Sequence, residues 1–170
     1  MGHAYLTRDE VLAWLEEVKD PEIPVLSVVE LGVVRDVRVS DAGVEVDITP
    51  TYSGCPAMRV MEDEIRSTLR AHGVHEPRIA TVFREAWTTD WMTPTARDKL
   101  RAFGIAPPAP GAPGDATGGA LVTLTRRGGV PCPYCGSRET VLQSEFGSTA
   151  CKAIHACRTC RQPFDHFKPI

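Results

Sequence analysis

Six cysteines carry the strongest chemical signal in this chain, and four of them form two C-x-x-C pairs, Cys132-Pro133-Tyr134-Cys135 and Cys157-Arg158-Thr159-Cys160, about twenty residues apart. A C-x-x-C turn aims both sulfurs into one small volume. Two such turns joined by a short hairpin complete a tetrahedron of thiolates around zinc or a single iron. A redox dithiol is the rival reading of either pair, and two matched pairs at ribbon-like spacing favour the metal. Cys132, Cys135, Cys157 and Cys160 are therefore the expected ligands of a closed, structural metal site, with zinc the expected ion and iron the alternative. His155 and His166 are alternative donors for which four cysteines leave no vacancy. Cys151, beside Lys152, is the surplus thiol, read as an exposed reactive group, a replacement ligand or a contact to the preceding domain.

A second, weaker constellation lies upstream. In Thr51-Tyr52-Ser53-Gly54-Cys55-Pro56 the cysteine falls at the expected start of a helix, where free N–H groups and the helix dipole stabilise a thiolate. Cys55 is thus a candidate nucleophile or ligand with a lowered pKa, balanced against the reading of a small buried apolar side chain. Thr51 and Ser53 could line the same concavity. Asp20 and Glu22, in the rigid loop Asp20-Pro21-Glu22-Ile23-Pro24, offer hard oxygen donors toward a metal, or a turn cap and a solvated carboxylate. Trp87 and Trp91 read as core anchors, and a surface pair would instead mark a partner site. Phosphate-loop, nucleophile-elbow, H-E-x-x-H and dinucleotide fingerprints are all missing.

The elements that must position these residues follow from periodicity. Thr7-x-x-Glu10 is a capping box and Val11, Leu12, Leu15 and Val18 recur at helical spacing, which predicts a helix from Thr7 to Lys19. Val33 to Val39 and Val44 to Ile48 read as strands of a hairpin turning over Ser40 to Gly43. Met58, Met61, Ile65 and Leu69 stripe a second helix starting near Pro56. Pro77 to Phe83 reads as a third strand and Thr93 to Phe103 as a last helix. The order predicts an α+β domain over residues 1–104, then a Pro/Gly-rich linker over 105–119 and a zinc ribbon over 120–170. Apolar residues are few in the tail, so a metal contributing on the order of ten kcal/mol is expected to hold it folded.

Composition sets the remaining bounds. With 170 residues, 42% hydrophobic and 24% charged, the chain is an ordinary soluble protein, and no apolar run suggests a leader or a membrane span. The expectation is a cytoplasmic, reducing setting in which the cysteines are ligands or thiols rather than disulfides. Residues 1–118 hold 12 basic against 19 acidic side chains, and residues 119–170 hold 7 against 3. The basic tail keeps nucleic-acid binding in view, but no Lys/Arg run interleaved with aromatics supports it.

Asp20-Pro21-Glu22-Ile23-Pro24, Val29-Glu30-Leu31-Gly32 and Thr51 to Pro56 resemble the domain of iron–sulfur assembly factors of the SufT and cytosolic iron–sulfur targeting type. Trp87 to Met92, Cys132 to Ser137, Ser144 to Lys152 and Cys157-x-x-Cys160 resemble PaaD, the D-subunit family of the phenylacetyl-CoA epoxidase system. The resemblance implies an accessory or maturation factor in aerobic phenylacetate degradation, not catalytic alone, whose partners are the diiron subunit or the flavin and iron–sulfur reductase. An integral, non-catalytic subunit is the first alternative, and a thiol-redox or nucleic-acid-binding ribbon the second. It leaves open a transient iron–sulfur cluster or iron held by Cys55 across a homodimer, with Asp20, Glu22 and Thr51 assisting. No glutamate and E-x-x-H set of a diiron bundle is present.

Overall fold

The computed structural model describes residues 6–52, 54–109 and 129–169. It divides into two compact units, the first comprising residues 1–87 and 91–96 and the second 88–90 and 97–170.

In the first unit the capping box forms as the sequence requires: the Thr7 N–H donates to Glu10 Oε2 at 2.8 Å and the Glu10 N–H donates to Thr7 Oγ1 at 3.2 Å. Helix α1 spans Arg8–Leu15 and buries Val11 and Leu15. It stops four residues short of the expected end, because the chain is already reversing. Lys19 bridges to Ser27, and the Asp20 N–H donates to the Leu26 carbonyl at 2.9 Å. Strands β1 (Val34–Ser40) and β2 (Gly43–Ile48) form the antiparallel hairpin, with Val37 paired to Val46 and Val39 to Val44. Helix α2 (Ala57–Ala71) buries Ala57, Met61, Ile65 and Leu69, a spacing that places one side chain per turn on the core side. It returns the chain to β3 (Arg78–Thr81), which pairs parallel to β2. The expected third strand is shorter than read, and Phe83 is exposed. Val37, Val44, Val46 and Ile48 complete an apolar layer under the helices, each such side chain stabilising by roughly 1.5–3 kcal/mol on burial.

Trp87 is a buried anchor whose Nε1–H donates to the Leu31 carbonyl at 3.1 Å. Gly32, at φ +75°, has no room for a side chain: a Cβ there would lie 2.9 Å from Trp91 Cβ. Helix α3 runs from Pro94 to Ala102, capped by Thr93 Oγ1, which accepts from the Ala96 N–H at 3.1 Å.

The second unit holds a four-stranded sheet in the order β4-β7-β6-β5, with β5 at Thr140–Ser144, β6 at Lys152–Cys157 and β7 at Pro163–Phe167. Its first strand, β4, is Ile105–Ala106, which begins the stretch expected to be linker. Both residues are buried and pair parallel with Asp165 and His166 of β7, so they close an edge of the sheet rather than space it from the preceding domain. Residues 110–119 of the expected linker lie outside the described residues. No helix among the described residues is long and apolar enough to cross a membrane.

Candidate metal centre

Two knuckles build the site. In the first, the Gly136 N–H donates to the Cys132 carbonyl and the Cys132 N–H to the Ser137 carbonyl, both at 2.9 Å. In the second, the Cys157 N–H donates to the Gln162 carbonyl at 3.0 Å and the Cys160 N–H points at Cys157 Sγ at 3.5 Å. The residue after each closing cysteine is left-handed, Gly136 at φ 75° and Arg161 at φ 61°. A hydroxyl pair, Ser137 Oγ and Thr159 Oγ1 at 2.7 Å, ties the turns together.

The four expected ligands converge. All four Sγ atoms lie within 4.8 Å of one another. Cys132 and Cys160 are 3.7 Å apart and Cys135 and Cys157 are 3.6 Å apart. A tetrahedron with metal–sulfur bonds of about 2.3 Å has edges of about 3.8 Å, so the donors fit one thiophilic ion with no open position. Without a cation four thiols share this space unequally. The Cys160 N–H brings the Cys157 thiol down to about 6 against the cost of desolvation. Cys160, despite an N–H from Gln162, is pushed up to about 12 by desolvation and its three neighbours. A divalent ion removes the conflict by pairing with every thiolate. Cys132 and Cys157 pack with Ala106 and Phe164 in the small core of this unit, so the site and the fold share side chains.

His155 and His166 stand apart from the thiols as a perpendicular pair with ring centroids 5.2 Å apart, and His155 also stacks on Phe164. Burial lowers both pKa values, that of His166 to about 4. Cys151 is buried, with Thr149 Oγ1 at 3.0 Å from its sulfur, which removes the exposed reactive thiol from its three readings.

Cys55 sits immediately before α2, between Gly54 at φ +82° and Pro56. Of its two readings, the thiol of lowered pKa is not the one the structure sets: burial raises the pKa, and the Glu22 and Asp20 carboxylates add to the rise against N–H donation from Ala57. The helix start is present, but half-burial beside two anions outweighs it. Those same carboxylates would favour a cation at the thiol. The acidic loop has a structural role as well, since Asp20 Oδ1 accepts the Glu22 and Ile23 N–H groups at 2.8 and 2.7 Å. Thr51 is buried, and Ser53 lies outside the described residues.

Sequence reasoning overlooked one polar cluster. Asp47, 2% exposed, accepts two hydrogen bonds of 2.9 Å from Arg38, whose hydrogen bonds hold its carboxyl below the usual range. Arg35, Asp36, Asp47, Thr49, Val82, Arg84 and Glu85 line a cavity of about 190 Å³ beside it. The cross-strand opposition of Arg38 and Glu45 was the available signal.

Comparison with known proteins adds two family matches: residues 8–78 to an iron–sulfur cluster assembly protein model and residues 116–168 to a PaaD zinc beta ribbon domain model. An Escherichia coli K12 protein provisionally named as the D subunit of 1,2-phenylacetyl-CoA epoxidase is 46% identical over 95% of this chain and 92% of its own length. The Bacillus subtilis Fe-S protein maturation auxiliary factor YitW is 32% identical over 55% of this chain and 92% of its own. A crystal structure of a DUF59 domain of unknown function from Bacillus anthracis superposes with a TM-score of 0.51 at 27% identity, covering 55% of this chain and 90% of that one.

Proposed function

Because this chain belongs to the family of 1,2-phenylacetyl-CoA epoxidase D subunits, we propose that it is an accessory factor that assists metal or iron–sulfur cluster insertion, or assembly, in that multicomponent oxygenase. One observation carries the reading: an iron–sulfur-assembly-type unit and a tetrathiolate ribbon are joined in one chain whose full-length relative is named for the epoxidase. In this reading the Cys132, Cys135, Cys157 and Cys160 site takes zinc and has a structural role, since a closed tetrahedron offers substrate no position. Cys55, with Asp20, Glu22 and Thr51 around it, is the proposed handling point for iron or a transient cluster, held as cargo. A raised thiol pKa suits that role, because the free protein stays protonated and unreactive until an arriving cation displaces the proton.

The relative's designation as a subunit favours a second reading, an integral and non-catalytic component. Expression of the other epoxidase subunits with and without this chain tests the first. Oxygenase purified without it should be under-metallated and consume little phenylacetyl-CoA; full metal content and activity in its absence would sink the proposal. Finding this chain stoichiometric in turnover-competent complex would favour the second.

A further inference from the structure

The tip of the ribbon carries three arginines that the metal centre does not use. Arg138 follows the first knuckle, Arg158 lies inside the second and Arg161 directly follows it, and all three are exposed. The two knuckles that carry them are held side by side: the Arg158 N–H donates to the Glu139 carbonyl at 2.7 Å, the Ser137–Thr159 hydroxyl pair ties the turns together, and Arg161 follows Cys160 directly. Among the described residues, none of the three guanidinium groups has an ion-pair or hydrogen-bond partner.

Arg161 is the most informative of them. Its counterpart in the first knuckle is Gly136, and both adopt the left-handed backbone that glycine enters freely and other residues enter at a cost. Glycine would serve the second turn better, and no described group engages the arginine head. Among the described residues nothing offsets that backbone cost, which makes the side chain a candidate for an external contact.

We propose that Arg138, Arg158 and Arg161 form a docking surface for an acidic segment of a protein partner, whose carboxylates the guanidinium forks bind in bidentate fashion. Charge argues for carboxylates over nucleic acid. The patch holds three guanidinium groups with the exposed Glu139 carboxylate among them, enough for bidentate pairing with one or two carboxylates and too few to follow a phosphate backbone, whose binding draws on many cations. Tyr134, 57% exposed, is the only aromatic side chain within either knuckle, which leaves no platform for stacking successive bases. The surface deepens the accessory-factor reading and rests on it only for which partner is docked.

The test uses full-length, zinc-loaded protein and a short fluorescein-labelled peptide of alternating Glu and Ser, with a Gln/Ser peptide and single-stranded DNA of equal length for comparison. Anisotropy should show salt-sensitive binding of the Glu peptide above both others. Arg161→Gly should leave the Tm unchanged or higher while weakening the Glu peptide about threefold or more, and adding Arg138→Glu and Arg158→Glu should weaken it beyond roughly thirtyfold. No binding by wild type, equal binding by the variants, tighter binding of DNA, or a lowered Tm in Arg161→Gly would each overturn the proposal. If peptide binding depends on these arginines but co-expressed epoxidase subunits do not bind the wild type, the docking surface stands and the functional reading falls.

Discussion

At the residue scale, Cys55 and the ribbon cysteines show how environment rather than residue type sets thiol chemistry. Four thiols packed within 4.8 Å of one another strongly favour a cation, whereas Cys55 is a single half-buried thiol beside two carboxylates. Helix-start position alone suggested a lowered pKa, and the fold reverses it, chiefly by half-burying the thiol, with the Glu22 and Asp20 carboxylates adding to the rise. The prediction is chemical. In metal-loaded protein, iodoacetamide should label Cys55 slowly at neutral pH and faster as pH rises through the alkaline range, since the elevated pKa keeps the thiol protonated until then. Glu22→Gln removes one anion, lowers the thiol pKa and should raise the labelling rate near pH 8 several-fold, as followed by peptide mass spectrometry. An unchanged rate would remove the carboxylate from the explanation. Cys151, buried against Thr149, should stay unlabelled until the protein unfolds.

At the scale of elements, local sequence signals worked where a single segment contains its own reason. The α1 capping box, the β1–β2 hairpin and the α2 stripe all have partners within a few residues or one strand pairing. They failed where distant residues decide. The early end of α1 depends on Ser27 and Leu26 returning to it, and Ile105–Ala106 become a strand only because β7, some sixty residues later, offers a parallel edge. Gly32 belongs to the same class, its need for glycine coming from Trp91 far along the chain. Gly32→Ala combines an unfavourable positive φ with a 2.9 Å contact, and should destabilise the protein by about 1–3 kcal/mol, read as a lower denaturant midpoint with unchanged slope. Gly73→Ala shares the positive φ but meets nothing within 4 Å, so it should cost less and separates backbone strain from crowding.

For the whole molecule, the consequence is two units with different sources of stability. The first rests on an apolar layer that includes Leu15, Ile23, Leu26, Leu31, Ile48, Met61, Ile65 and Leu69, whereas the core of the second includes two of the candidate ligands, Cys132 and Cys157. Removing the metal by chelation should therefore melt the ribbon sheet and leave the helices of residues 8–71 in place. Hydrogen exchange should show protection lost across residues 140–167 and retained in α2, with metal return restoring it. Uniform loss across both units would contradict that division. Spacing and periodicity were enough for the four-cysteine set, the hairpin, the principal helices and the family resemblance, because both are local and need no partner. Tertiary structure alone decided that Cys55 carries a raised pKa, that Asp47 is a buried carboxylate held by Arg38, that Cys151 is covered and that β4 completes the ribbon sheet. Each of these depends on groups distant in sequence whose charge, volume or hydrogen-bonding capacity acts only once folding has brought them together.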